Sequence, residues 1–190
     1  MAILSGSQRY AIAVLAICLS TPAGSATTEP SGLTASEIKA GFLFNFTKFV
    51  EWPREAFADA NAPIVLGIVG DSPFGRLLTE AALGKTVNGR AVIEKQFTAE
   101  GDLRRCQILF VSLSENRGTA QILERLKGAN VLTVGEGDRF TQAGGMIAFV
   151  VEGNKVRLVI NLEATAEAHL KISAQVIAVA RIVVRTKARN

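Results

Sequence analysis

The sequence is poor in the residues that most often bind metals, since its 190 residues include one histidine and two cysteines. A structural zinc site takes four such ligands, so His169 and Cys106 alone exclude one. Cys18 lies in the amino-terminal apolar run, and once that segment is removed no disulfide can form within the chain. Cys106 precedes an apolar run and is interpreted as a small buried hydrophobic residue rather than a reactive thiol. We expect no metal and no cofactor.

Excess charge of either sign is also small. The chain carries 21 Lys and Arg against 17 Asp and Glu, a net charge of +4. Residues 1–26 contain Arg9 as their only charged residue, so the excess without them is +3. Nucleic-acid binding needs a concentrated basic surface. The composition therefore argues against a nucleic-acid partner.

Three short strings resemble parts of enzyme motifs, but none has the geometry that the chemistry requires. Residues 84–86 (GKT) resemble the end of a phosphate-binding loop, yet they follow a predicted helix and lack the motif's first glycine. Residues 70–75 (GDSPFG) resemble a nucleophile elbow, but Pro73 removes a backbone N–H that would stabilise an oxyanion. Residues 135–137 (GEG) lack the later glycine of a dinucleotide fingerprint. No catalytic residue set remains, so we predict that the protein is not an enzyme.

The apolar run near the amino terminus, residues 10–19, is too short to span a bilayer. Arg9 precedes it, and small residues follow, with Gly24 and Ala26 in the positions that a signal peptidase recognises. These features predict export and a soluble periplasmic protein. The predicted organisation is a cleaved signal peptide (1–26), a leader (27–35), a single domain (36–185) and a basic tail (186–190).

The stretch from Ser36 to Trp52 predicts an amphipathic helix that Pro53 ends. One side of this helix must be buried, and it collects the apolar residues Ile38, Phe42, Leu43, Phe46, Phe49 and Val50. The opposite side carries an aromatic–basic–aromatic row at i, i+4 and i+8, formed by Phe44, Lys48 and Trp52. Loops or a neighbouring helix could cover this row. Alternatively, it is an exposed patch that binds a partner, because aromatic and basic side chains suit interface cores.

The rest of the chain alternates buried strands with helices. Continuous apolar runs at 64–69 and 107–112 are typical of strands covered on both faces. Residues 146–151 and 156–160 flank a turn and predict a hairpin. Residues 163–184 predict a last helix with one apolar stripe, formed by Ile172, Val176, Val179 and Val183. The pattern predicts an α/β three-layer sandwich, with a mixed, mostly parallel sheet flanked by helices and a C-terminal hairpin plus helix.

His169 and Lys171 form a second candidate site near the beginning of the last predicted helix. They either line a polar pocket for an anionic or aromatic ligand or lie on ordinary, half-exposed surface. A pocket there would favour a periplasmic small-molecule-binding or sensor protein. An exposed aromatic row on the first helix would favour a partner-binding regulator.

Four segments resemble the YfiR family of periplasmic proteins. Residues 39–53 (KAGFLFNFTKFVEWP) resemble the opening helix of that family. Three further segments follow in the family's order and at matching spacing: residues 69–75 (VGDSPFG), 144–149 (GGMIAF) and 170–173 (LKIS, after Asn161 and Leu162).

The resemblance implies a compact α/β domain without enzymatic activity. It also implies a repressor that binds the periplasmic sensor part of an inner-membrane diguanylate cyclase (YfiN-like), lowering cyclic-di-GMP and biofilm formation. An outer-membrane lipoprotein (YfiB-like) would relieve this repression by sequestering the repressor. The cysteine pairs of some members are not carried over, because Cys106 stands alone. Whether the protein forms a homodimer is left open.

Overall fold

The computed structural model describes residues 33–72, 75–112, 116–153 and 155–184. The strands are β1 (Val50–Glu51), β2 (Ile64–Gly70), β3 (Thr86–Val87), β4 (Arg90–Phe97), β5 (Ile108–Ser112), β6 (Leu132–Glu136), β7 (Ile147–Glu152), β8 (Lys155–Asn161), β9 (Lys171–Ile172) and β10 (Ala180–Val184). The helices are α1 (Ala35–Phe49), α2 (Gly75–Ala82), α3 (Asn116–Leu126), α4 (Asp138–Gln142), α5 (Leu162–Glu167) and α6 (Ala174–Val179), with 3₁₀ turns at Arg54–Ala56 and Leu103–Arg105. The predicted signal peptide, most of the leader and the basic tail lie outside the described residues. Within the described residues, no helix is both long enough and apolar enough to cross a membrane.

In the described part of the chain, eight strands form one mixed sheet in the order β10-β8-β7-β6-β5-β2-β4-β3. Parallel pairing joins β4, β2, β5, β6 and β7 in turn, and β10 runs parallel to β8. Antiparallel pairing occurs between β7 and β8 and between β3 and β4. The predicted α/β fold with a mixed, mostly parallel sheet is confirmed, and so is the hairpin.

Helices cover both faces of the sheet, which makes three layers. Side chains of α1, α2 and α6 pack on the first face, where Phe46, Phe110 and Phe149 are among the largest fully buried groups. Side chains of α3 and α4 pack on the second face, around Leu109 and Phe140. Because both faces are covered, β2 and β5 consist almost entirely of apolar residues.

Helix α1 begins with a capping box in which the Thr34 hydroxyl accepts a hydrogen bond from the Glu37 backbone N–H, and the Glu37 carboxylate accepts one from the Thr34 N–H. Its buried stripe includes Leu43 and Phe46, each 1% exposed. The Phe46 ring stacks on Phe149 of β7 with 6.4 Å between centroids. The helix ends at Phe49, three residues before the predicted end, because the next residues enter strand β1.

The prediction of one long helix over residues 163–184 is wrong. The chain there forms α5, β9, α6 and β10 in succession, so the stripe of Ile172, Val176, Val179 and Val183 does not lie on one helix. Helix α5 ends where His169 takes a left-handed backbone conformation with φ of 56°. Segment 180–184 then pairs parallel with β8, and its run of β-branched residues is one that favours a strand.

Cys106 lies two residues before β5 in the core of the second face. It is 1% exposed, and its thiol donates a hydrogen bond to the Leu103 carbonyl at 3.2 Å. Burial, with a smaller contribution from the negative charge of Asp102, raises the pKa of the Cys106 thiol to about 12. The thiol is therefore protonated at neutral pH, and the interpretation of Cys106 as a buried hydrophobic residue is confirmed.

Candidate functional site

The predicted row does not lie on one helix, because Phe44 and Lys48 belong to α1 whereas Trp52 follows strand β1. Lys48 is exposed; its ammonium lies 4.7 Å from the centroid of the Phe44 ring, a cation–π distance, and donates a hydrogen bond to the Asn45 side-chain oxygen at 3.3 Å. Phe44 and Trp52 are half-buried and pack against the first-face core. The row therefore combines one exposed cationic head with two aromatic groups whose inner sides belong to the core.

Trp52 is held in place by Gln107, which immediately precedes β5. The indole Nε1 donates a hydrogen bond to the Gln107 carbonyl at 3.1 Å. The Gln107 side chain is buried and donates to the Ala56 carbonyl at 2.6 Å while accepting from the Val65 N–H at 2.8 Å. This network fixes the indole and the segment after it, so Trp52 has a structural role whatever it binds.

Strands β1 and β9 bring the two predicted sites together. They pair antiparallel, with Val50 opposite Ile172 and Glu51 opposite Lys171. The Ser173 N–H also donates to the Phe49 carbonyl at 2.9 Å. Residues more than a hundred positions apart in sequence thus share one small sheet, which the sequence patterns did not predict.

His169 ends helix α5 in a Schellman motif. Its N–H donates to the Ala166 carbonyl at 3.0 Å, and the next N–H, from buried Leu170, donates to the Thr165 carbonyl at 2.9 Å. Glycine usually occupies this left-handed position, although histidine is among the residues enriched there. The His169 side chain is exposed, as is that of Lys171.

We call the group Phe44, Lys48, Glu51, Trp52, His169 and Lys171 the amino-edge surface. It lies at the edge of the sheet where the parallel strands begin, since Trp52 contacts Gln107 directly before β5. Lys48 and Lys171 contribute positive charge on either side of Glu51, and the aromatic rings contribute apolar area. Neither His169 nor Lys171 lines either of the two clefts described below.

The larger cleft, of about 890 Å³, lies at the opposite edge of the sheet. The chain leaves β2 toward α2 on the first face and leaves β5 toward α3 on the second face. Because the connections after these two neighbouring strands go to opposite faces, a crevice opens at the carboxyl ends of the strands. Proteins of the α/β class commonly bind ligands in such a crevice. We call it the carboxyl-edge cleft, and it is lined by Gly70, Asp71, Val111, Ser112, Thr119, Ala120, Glu136, Arg139, Phe140, Gln142 and Ala143.

Helix α4 forms one wall of the carboxyl-edge cleft and is held against the sheet by Phe140. A β-carbon at Gly135 would lie 2.3 Å from the Phe140 ring, and one at Gly145 would lie 2.2 Å from it. Both distances are far inside van der Waals contact, so the ring occupies space that only glycine leaves free. Gly135 and Gly145 therefore have a structural role, because they make room for the Phe140 ring.

A second cleft of about 520 Å³ lies between the end of α3, the end of α4 and α5. Its buried polar groups are engaged in the fold. Thr133 accepts from the Met146 N–H at 3.1 Å, while Asn161 donates to the Thr141 carbonyl at 3.3 Å and accepts from the Ala164 N–H at 3.1 Å. These bonds give the polar lining of this cleft a structural explanation.

Within the described ranges, no three histidine, cysteine or acidic side chains are grouped closely enough to hold a metal ion. Of the two surfaces, the amino-edge surface suits contact with a macromolecule and the carboxyl-edge cleft suits a small ligand. The structure is therefore an α/β domain with two candidate binding surfaces.

The chain belongs to the YfiR/HmsC-like family, DUF4154, whose model matches residues 36–181. The family consists of regulatory, non-enzymatic proteins linked to cyclic-di-GMP signalling, and its members are periplasmic in general. The predicted family is therefore confirmed.

Two solved structures are similar in fold. A conserved domain protein from Vibrio cholerae has a TM-score of 0.56 at 12% sequence identity, covering 80% of this chain and 61% of its own. The ABC domain from Streptococcus pneumoniae in complex with L-Trp has a TM-score of 0.48 at 11% identity, covering 64% of this chain and 55% of its own. The chain thus spans little more than half the length of these two structures. At such identities, the first likeness concerns the fold alone.

Proposed function

We propose that this protein is a periplasmic repressor of an inner-membrane diguanylate cyclase. It binds the periplasmic sensor part of the cyclase and thereby lowers cyclic-di-GMP and biofilm formation. An outer-membrane lipoprotein relieves the repression by sequestering the repressor. Membership of the YfiR/HmsC-like family supports a regulatory role in this signalling system.

The observation that carries the proposal is the pairing of β1 with β9, which unites both predicted sites in the amino-edge surface. Half-buried aromatic groups flanked by exposed charges resemble the centres of protein interfaces, where a few aromatic residues supply most of the binding energy. Because the Trp52 indole is already fixed by Gln107, binding would cost little side-chain entropy there. Lys48 and Lys171 would set orientation and association rate by contacting acidic groups of the partner.

The direct test measures binding of the cyclase's periplasmic part to charge-reversed variants. Lys48→Glu combined with Lys171→Glu should weaken binding by about tenfold or more while leaving the fold intact, because both side chains are exposed. Lys155→Glu is the matched control, since Lys155 is exposed at the start of β8, at the other edge of the sheet. Equal binding by the double variant and the control would show that the amino-edge surface is not the interface.

A genetic experiment tests the repression itself. Deleting the gene should raise cyclic-di-GMP and biofilm formation in a strain that carries the cyclase gene, and should change neither in a strain that lacks it. A rise that persists without the cyclase would contradict the proposal. Complementation with the double lysine variant should fail, whereas the Lys155→Glu variant should restore repression.

A further inference from the structure

Two opposite charges that have no ion-pair partner among the described residues face the carboxyl-edge cleft. Asp71 follows β2 and Arg139 lies in the first turn of α4, and both are exposed. Among the described residues, neither side chain takes part in a salt bridge. A third charged group on the rim, Glu136, is already neutralised, because Lys39 of α1 lies 2.6 Å from its Oε1. Asp71 and Arg139 therefore remain as the groups that a charged ligand can use.

The sheet sets the separation of the backbone segments that carry these two charges. Asp71 lies at the end of β2 and Arg139 follows the end of β6, with β5 between these strands. Neighbouring strands are about 4.8 Å apart, so the ends of β2 and β6 stand about 10 Å from each other. Among the described residues, no ion pair joins the two side chains across that gap.

The lining of the cleft mixes polar and apolar groups. Ser112 at the end of β5 has its hydroxyl donating to the Asp71 carbonyl, which leaves a lone pair of its oxygen for another donor. Gln142 supplies an amide and Phe140 an aromatic edge on the α4 wall. A ligand there needs a charged group at each end and a hydrogen-bonding middle.

We propose that the carboxyl-edge cleft binds short peptides with free termini, with the ammonium end at Asp71 and the carboxylate end at Arg139. An extended residue spans about 3.3–3.6 Å, so two or three residues match the distance between the ends of β2 and β6. A free amino acid is shorter than that distance, because its ammonium and carboxylate sit on one carbon atom. Arginine suits a carboxylate especially well, since its planar guanidinium can donate two parallel hydrogen bonds.

The test uses calorimetric titration of the full mature chain with dialanine, trialanine, N-acetyl-dialanine, dialanine amide and free alanine. Wild-type protein should bind dialanine or trialanine, and removing either terminal charge should weaken binding by about tenfold or more, since each charge-assisted bond is lost. Free alanine should bind more weakly still. Equal binding of capped and uncapped peptides, or no binding of the uncapped peptides, would overturn the proposal without any variant.

Two variants then assign the ends. Asp71→Asn should reduce affinity for the free peptide but not for the N-acetylated one, and Arg139→Gln should reduce affinity for the free peptide but not for the amide. Glu55→Gln and Arg157→Gln are matched controls at exposed positions outside the cleft, and they should bind like wild type. A reversed pattern, or equal losses in controls and cleft variants, would contradict the assigned orientation and site.

Discussion

The two edges of the sheet offer their polar groups in opposite ways. At the amino-edge surface, the main groups are already engaged: Trp52 with Gln107, His169 in a helix cap, and β9 with β1. At the carboxyl-edge cleft, Asp71 and Arg139 are charged and carry no ion pair among the described residues. A surface whose groups already form hydrogen bonds within the protein presents a fixed shape to a macromolecule. Charges around a cavity that form no such contacts are suited to binding a small ligand. One small domain can thus hold two binding functions that are separable by mutation.

The largest expected loss of stability comes from a substitution that disturbs the wall of the carboxyl-edge cleft and leaves the amino-edge surface unchanged. Gly145→Ala places a methyl group 2.2 Å from the Phe140 ring, and relieving that overlap should cost about 3 kcal/mol of unfolding free energy. Urea denaturation measures the change. Combining it with Phe140→Ala should cost clearly less than the sum of the two single changes, because the smaller side chain removes the clash. A Gly145→Ala variant as stable as wild type would show that α4 shifts freely.

The next largest loss of stability is expected from substituting Trp52 in the amino-edge surface. Trp52→Ala removes half-buried aromatic area and one of the two hydrogen bonds to the Gln107 carbonyl, which keeps its bond from the Leu132 N–H, at a cost of about 2–3 kcal/mol. Trp52→Phe keeps most of the aromatic area and should cost about 1 kcal/mol. Thermal unfolding followed by circular dichroism distinguishes them. Equal stability of both variants would contradict the stabilising contribution of the indole's packing and of its hydrogen bond to Gln107.

A third prediction concerns the core beneath both edges. Burial raises the pKa of the Cys106 thiol to about 12 in the folded state, from an ordinary value of 9.0. The unfolded chain therefore loses this proton first as pH rises, and stability falls between these two values. The slope approaches about 1.4 kcal/mol per pH unit. Denaturation at pH 8 and pH 10.5 should show a smaller alkaline loss in Cys106→Ala than in wild type, and parallel losses would contradict the pKa shift.

The smallest expected change in stability is at His169, and it distinguishes a role in ending helix α5 from a role in binding a partner. His169→Gly relieves the left-handed strain, so the variant should be as stable as wild type or more stable by up to about 1 kcal/mol. His169→Val should instead lose about 1 kcal/mol or more, because a β-branched residue fits this conformation poorly. If His169→Gly also binds the cyclase normally, the histidine serves the helix end and not the interface.

Local patterns predicted the elements whose signals lie within one stretch of sequence. The buried Leu43–Phe46 stripe and the apolar β2 and β5 runs each follow from spacing alone. The break at His169 was missed because no glycine or proline marks it, and apolar residues at helical spacing disguised a strand. Arg139 was not among the predicted site residues because no motif in the sequence marks it. The contacts of Trp52 and Lys171 depend on tertiary pairing, which residue spacing does not encode.

The pairing of β1 with β9 also has a kinetic consequence. It closes a loop of roughly 120 residues, whose entropic cost is on the order of 4 kcal/mol, before its few backbone bonds form. The few hydrogen bonds between β1 and β9 offset this entropy only after the intervening sheet has formed and brought the two strands together. The β1–β9 pair therefore forms late in folding. The amino-edge surface is therefore absent from nascent or misfolded chains. A partner that binds it engages only molecules that have finished folding.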